Sequence, residues 1–156
     1  MKNIKRILVV CTGNSCRSIM AEGYLMKKFL DMGAKDTTVI SAGTSALNGL
    51  KPTEETIEVM NEEGIDVSGY MSSALSKANI DNADAILVMT PKHKEKVVSI
   101  SPSSKDKVYF LREFSDEYKK EGNSIADPVG RPMEFYREVL KVIKDSSEGF
   151  VKWIKE

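Results

Sequence analysis

Histidine and cysteine are nearly absent from this chain: its 156 residues hold one histidine and two cysteines. The shortage excludes several classes of protein. A structural zinc site takes about four nitrogen or sulfur ligands, more than Cys11, Cys16 and His93 together supply. Two thiols five positions apart do not make the dense disulfide framework of a small secreted domain. A histidine-dependent triad has only His93 to draw on, and its lysine-rich surroundings, Lys92 and Lys94, read as a solvated helical stretch. Charge of one sign is also missing in excess, since 23 basic residues balance 23 acidic ones. No global field exists to hold nucleic acid or an anionic membrane surface, so any anion must be bound by local charge. Long apolar runs are lacking too. The start, Met1-Lys2-Asn3-Ile4-Lys5-Arg6, has the charge of a secretion signal, but the apolar run behind it extends only from Ile7 to Val10. No stretch is long enough to span a bilayer. The reading is a cytoplasmic protein with no metal, no cofactor, and no nucleic-acid or membrane partner.

What is present is an ordinary globular composition, 41% hydrophobic and 29% charged. A chain of this length buries about 70% of the surface that its unfolded form exposes, enough for a full core. A single domain over residues 1–156 is expected. Short apolar runs alternate with amphipathic ones. Ile4 to Val10 reads as a strand ending at Cys11, followed by a helix from Ser18 to Met32 that Gly33 stops. Thr38 to Ser41 reads as a second strand closed by Ala42-Gly43. Pro52-Thr53-Glu54-Glu55 opens a helix that Gly64 ends. A short helix is expected over Ser73 to Ala78, a buried strand over Ala85 to Met89, and a helix from Pro91 to just before Pro102. Lys107 to Leu111 reads as the fourth strand, Ser115 to Ser124 as a polar surface loop, and the region from about Pro132 onward as a long closing helix. Strands joined by helical crossovers imply an α/β, three-layer fold: a four-stranded parallel sheet with helices on both faces. Ligands of such sheets bind beyond the carboxyl ends of the strands.

Cys11 stands at such an end, at the head of Cys11-Thr12-Gly13-Asn14-Ser15-Cys16-Arg17-Ser18. A turn from strand into helix aims backbone N–H groups and a helix dipole at one point. Gly13 permits close approach, and Asn14 tolerates a left-handed backbone. Arg17 adds a planar fork that matches two phosphate oxygens. The same donors favour an ionised Cys11 sulfur, which makes it a candidate nucleophile. Ser18 can donate to that sulfur or serve as a helix N-cap, and the two roles are compatible. The octet is neither a Walker loop nor a Cys-x-x-Cys redox pair. The bland alternative is a small buried cysteine beside a tight turn, with Arg17 in a surface ion pair. Attack on phosphorus expels a group that needs a proton, and Asp127-Pro128 is the best donor, since Pro128 holds Asp127 extended on a loop. Taken alone, Asp-Pro reads as a plain turn ahead of the last helix, and only the octet raises its value.

The octet resembles the phosphate loop of the low-molecular-weight protein tyrosine phosphatases. Ser41-Ala42-Gly43-Thr44, the run from Ala83 to Thr90, and Asp127-Pro128-Val129-Gly130 are similar to the family's later landmarks in the expected order. The resemblance implies a two-step reaction through a phosphocysteine at Cys11. It makes Arg17 the phosphoryl holder and Asp127 the acid and then the base for water. Thr12, Gly13, Asn14, Ser15, Cys16 and Ser18 line the phosphate. It also implies that Asn14, Ser18 and Ser41 support the loop, with Tyr70 standing where the family commonly has a histidine.

Members that prefer phosphotyrosine typically carry a bulky aliphatic residue after the nucleophile and aromatics after Asp-Pro. This chain has Thr12 and Val129-Gly130, which is more similar to the bacterial protein arginine phosphatase branch. A hydroxyl at position 12 can meet a guanidinium N–H, or it can simply fill space. The expected substrate is a phosphorylated protein, phosphoarginine ahead of phosphotyrosine. The alternatives are a tyrosine phosphatase proper, an arsenate reductase and a noncatalytic phosphoanion-binding module. The thioredoxin-coupled arsenate reductases share the loop but pass a disulfide through further cysteines, and this chain has no third thiol. Cys16 can pair reversibly with Cys11 under oxidants or pack beneath the loop.

Overall fold

The computed structural model describes all residues, 1–156. Four strands, β1 (Arg6–Cys11), β2 (Thr38–Gly43), β3 (Ala85–Val88) and β4 (Val108–Phe110), form one parallel sheet in the order β2-β1-β3-β4. Five α-helices connect and cover them: α1 (Arg17–Asp31), α2 (Glu54–Glu62), α3 (Lys77–Asn82), α4 (Pro91–Ile100) and α5 (Met133–Lys155). β1 is central, so its alternating side chains feed both layers. Ile7, Val9 and Cys11 join the larger core with α1, α2 and α5, while Leu8 and Val10 join a smaller one with Ile80 of α3 and Val97 of α4. No helix is long and apolar enough to cross a membrane.

The fold class follows the expectation, and most elements lie within a few residues of their predicted places. Two differ for identifiable reasons. β2 continues through Ala42 and Gly43, because Cys11 pairs in register with Gly43 at the carboxyl end of β1. The short helix expected at Ser73–Ala78 begins later, at Lys77. Ser76 caps it by accepting from the Asn79 backbone N–H, and the Asn79 side chain accepts in return. The residues before that cap belong to the sheet end: Gly43 donates to Ser73 O at 2.9 Å, and Leu75 donates to Gly43 O at 2.9 Å. Tertiary pairing there overrides local helix propensity.

α5 presses closely on a 3-10 turn (Leu111–Phe114) that follows β4. A Cβ built on Gly149 of α5 stands 1.8 Å from Phe114 O, so the approach requires glycine. Phe114, Phe150 and Trp153 stack in tilted and edge contacts around this point. Gly149→Ala is expected to destabilise the fold by about 3 kcal/mol or more through overpacking against backbone. Gly69→Ala, where an added Cβ meets nothing within 4 Å, serves as the near-neutral control. Chemical denaturation of the two variants checks the contrast, and equal midpoints for both contradict it.

Candidate active site

The loop between β1 and α1 turns its carbonyls outward. Cys11 O accepts from Thr44 N at 2.9 Å, Thr12 O from Ser45 N at 2.9 Å, Ser15 O from Thr53 N at 3.2 Å, and Cys16 O from Met20 N at 2.9 Å. Because a trans peptide points its N–H opposite its C=O, tethering these carbonyls turns the following amides inward. None of the backbone N–H groups from Thr12 to Ser18 donates to another backbone group. They form a concave set of donors at the start of α1, an arrangement that suits a tetrahedral oxyanion.

Asn14 holds the loop in this shape. Its φ is 53°, the left-handed region that only a few non-glycine residues accept, and it is 1% exposed. Every polar group of its carboxamide is used. Nδ2 donates to Ser18 Oγ at 2.7 Å and to Ser41 Oγ at 2.9 Å, while Oδ1 accepts from Ser73 N at 2.8 Å. Since Ser18 Oγ accepts from Asn14, its hydroxyl is free to donate to Cys11 Sγ at 3.0 Å. Ser41, also an acceptor from Asn14, donates to Glu22 Oε1 at 2.5 Å. Gly43 is needed here as well, because a Cβ at that position lies 2.5 Å from Thr12 O and 3.0 Å from Asn14 N.

Arg17 enters from the first turn of α1 and is 5% exposed. Its Nη1 donates to Ile125 O at 2.9 Å, and Nη2 reaches Thr12 Oγ1 at 3.5 Å and Asp127 Oδ2 at 3.6 Å. Ile125 is itself fixed, since its N–H donates to Met89 O at 2.9 Å at the end of β3. The loop that carries Asp127 is thereby stitched to the sheet and to Arg17. Asp127 is half exposed, and its Oδ1 accepts from Val129 N at 3.1 Å.

The structure therefore brings together Cys11, Thr12, Gly13, Asn14, Ser15, Arg17, Ser18, Ser41 and Asp127, as the sequence suggests. Ser18 is not the helix N-cap; Cys16 occupies that position, and Ser18 lies inside the first turn with its hydroxyl at the sulfur. The Cys16 side chain turns away from the cradle and lies 3.5 Å from Thr53 Oγ1 and 3.7 Å from the Tyr136 hydroxyl. Both thiols are free and buried. Tyr70 makes no hydrogen bond to Asn14; it packs half-buried against the larger core, and Ser73 N serves Asn14 Oδ1.

Sequence reasoning missed two residues and misread one of them. Glu22, one turn beyond Ser18 on α1, terminates the chain Cys11-Ser18-Asn14-Ser41-Glu22. Its burial raises the carboxyl above the ordinary value, and the Ser41 hydroxyl works against that rise. Helical spacing from Ser18 was the available signal. His93 is the correction: expected in solvent, it is 3% exposed. His93 and Val97 form the buried face of α4, and this one-turn spacing outweighs the lysines on either side. Its Nε2 lies 2.8 Å from Thr12 Oγ1 and its Nδ1 3.2 Å from Thr90 Oγ1.

The fold and this loop define an α/β protein with an oxyanion cradle around a cysteine at the carboxyl end of its first strand. Residues 6–156 match the family model for low molecular weight phosphotyrosine protein phosphatase. A protein-arginine-phosphatase of Geobacillus stearothermophilus is 41% identical over 132 residues, 85% of this chain and 84% of the relative. A probable low molecular weight protein-tyrosine-phosphatase, EpsP, of Ralstonia nicotianae is 35% identical over 97% of each chain. Among solved structures, a YwlE arginine phosphatase variant with a phosphorylated active-site serine in place of cysteine superposes with a TM-score of 0.86. It is 29% identical, with 97% of this chain and 96% of that one covered. The chain belongs to the low molecular weight phosphotyrosine protein phosphatase family and is an enzyme, a phosphatase.

Burial and the nearby Arg17 charge push the His93 imidazole down to about 4 from 6.5, and Asp127 opposes the fall. The unfolded chain therefore takes up a proton near pH 6.5 that the folded chain refuses until about pH 4. Below the unfolded value this difference erodes stability, and the loss levels off below the folded one. The single histidine signal is expected to titrate near pH 4 by NMR, and the acid-side loss attributable to it disappears in His93→Gln. A midpoint at the ordinary value contradicts the buried placement.

Proposed function

We propose that this phosphatase works through a phosphocysteine on Cys11 and favours phosphoarginine over phosphotyrosine side chains of proteins. The observation that carries the reading is Cys11 Sγ at 3.0 Å from the Ser18 hydroxyl, at the base of a loop whose amides are unpaired. In the first step the sulfur attacks phosphorus, an S–P bond forms, and the bond from phosphorus to the leaving nitrogen or oxygen breaks. The loop amides and Arg17 hold the non-bridging oxygens, whose charge grows in the transition state. Asp127 protonates the leaving group, so a neutral guanidine or phenol departs. In the second step Asp127, now a carboxylate, takes a proton from water. The water oxygen bonds to phosphorus, and the sulfur leaves as a thiolate steadied by Ser18.

The 3.6 Å spacing of Arg17 and Asp127 supports the acid role by placing the carboxyl beside the phosphoryl holder. A relative that carries phosphate on a serine in the cysteine's place supports the covalent step. Preference for phosphoarginine is supported by two features. Thr12 offers a hydroxyl 3.5 Å from Arg17 Nη2, and Val129, 53% exposed, stands after Asp-Pro where an aromatic wall for a phenyl ring is absent. The substrate is thus a phosphorylated protein, met in the cytoplasm, and the reaction needs no metal or cofactor. A tyrosine phosphatase proper remains the second reading, favoured by the Ralstonia relative that matches over 97% of both chains.

Cys11→Ser is expected to abolish hydrolysis of para-nitrophenyl phosphate; equal rates in wild type and variant refute the covalent mechanism. Asp127→Asn is expected to cost about 100-fold or more with poor leaving groups and much less with good ones. A uniform loss across a leaving-group series removes Asp127 from the acid role. Comparing kcat/KM on phosphoarginine and phosphotyrosine peptides decides the substrate, and a ratio below one favours the second reading.

A further inference from the structure

His93 is a buried polar group that the reaction as written does not use. It is the only histidine of the chain, and it sits between two hydroxyls, Thr12 Oγ1 at 2.8 Å from Nε2 and Thr90 Oγ1 at 3.2 Å from Nδ1. Thr90 is the N-cap of α4, and Pro91 starts the helix, so the imidazole is mounted on a rigid element. At neutral pH the ring is uncharged and carries one proton, which can be on either nitrogen.

Each tautomer leaves one threonine hydroxyl proton without a protein acceptor, and the two differ in where that proton lies. With the proton on Nε2, the Thr90 hydroxyl donates to Nδ1, and both His93 and Arg17 Nη2 donate to Thr12 Oγ1. The Thr12 hydroxyl proton then turns toward a cradle already lined by unpaired amide N–H groups and a guanidinium, where the protein offers it no acceptor. With the proton on Nδ1, Nδ1–H donates to Thr90 Oγ1, which also accepts from the His93 backbone N–H at 3.4 Å, while the Thr12 hydroxyl donates to Nε2 and Arg17 Nη2 donates to Thr12 Oγ1. The hydroxyl proton without a protein acceptor is then that of Thr90, at the ring nitrogen away from Arg17 and the cradle. Thr12 Oγ1 is left with one lone pair, and that lone pair is available to a substrate. A phosphoarginine leaving group presents N–H donors, whereas the bridging oxygen of phosphotyrosine presents none.

We infer that His93 is a positioning residue for substrate selection, which accepts a hydrogen bond from the Thr12 hydroxyl and so turns an oxygen lone pair toward a guanidinium leaving group. The inference rests on the phosphoarginine reading only for the identity of that leaving group. It assigns Thr90-His93-Thr12 as a relay that sets the polarity of the pocket wall beside Cys11. A site built to accept from a substrate N–H discriminates against an analogue that lacks it, because the acceptor is then left unpaired.

Two measurements test it on the full chain. In wild-type protein free of any histidine tag, the imidazole nitrogens belong to one residue, so nitrogen-15 spectra read the tautomer without assignment. A proton on Nδ1 with a bare Nε2 is the expected result, and a proton on Nε2 overturns the inference. The second measurement is kinetic. His93→Asn keeps an amide beside Thr90 but is too short to reach Thr12, whereas His93→Gln reaches it. His93→Asn is expected to lower kcat/KM for a phosphoarginine peptide about tenfold and to leave a phosphotyrosine peptide within about twofold, with His93→Gln restoring most of the loss. Made on a Thr12→Val background, His93→Asn is expected to change the ratio no further. An equal fall on both substrates, or an added loss without the Thr12 hydroxyl, overturns the inference. If wild type shows no preference for phosphoarginine, the substrate reading fails by that ratio alone, and the tautomer and the coupling to Thr12 still decide the role of His93.

Discussion

A run of backbone amides facing one point without partners is costly to keep in a folded protein, and this structure keeps one beside a thiol. The amides cannot fold back on their own carbonyls because those are committed elsewhere, to Thr44, Ser45, Thr53 and Met20. The left-handed turn at Asn14 is maintained by a carboxamide with all its polar groups engaged. A buried amide that loses a partner costs about 1–3 kcal/mol, so each bond resists relaxation of the loop. The cradle is thus prepared before any anion arrives, and stabilisation of transition-state charge requires that preorganisation.

From Asn14 the arrangement spreads in two directions through hydroxyls that accept from it. Toward the sulfur, Ser18 has one hydroxyl proton free to donate to Cys11 Sγ. Toward the helix, Ser41 donates a hydrogen bond to Glu22, a half-hidden acid that closes the chain. The other wall is built independently. Arg17 reaches across to Ile125, which hangs from Met89, and so the loop with Asp127 is positioned by the sheet. His93 and Thr90 add a third support beneath Thr12. Three separate segments far apart in the chain converge on one small volume at the carboxyl end of β1, as expected for a parallel sheet.

Much of this was legible beforehand because it rests on local chemistry. Apolar runs of strand length, proline at helix starts, and glycine at helix ends mark elements by backbone sterics alone, and so the sheet and most of the helices fell close to their predicted places. The octet was legible for the same reason: its Gly, Asn, Arg and Ser each have a specific use over a span of eight residues. What misled was locality itself. Lysines beside His93 suggested solvent, yet its spacing with Val97 put it on the inner face of α4. Residues Ser73 to Ala78 read as helical, while a neighbouring strand end claimed the first part of that segment for its own hydrogen bonds.

The order of residues along the chain determined that a cysteine would end the first strand, that a tight donor-rich turn would follow, and that helices would cover both sides of a parallel sheet. Only the folded arrangement decided which hydroxyls point at which acceptors, that Glu22 and His93 take part while Tyr70 does not, and that Cys16 faces Tyr136 instead of the cradle. The physical reason is one of range. Backbone conformation and amphipathic spacing are written within a few neighbours, whereas the direction of a hydrogen bond depends on which partner from a distant segment comes within about 3 Å.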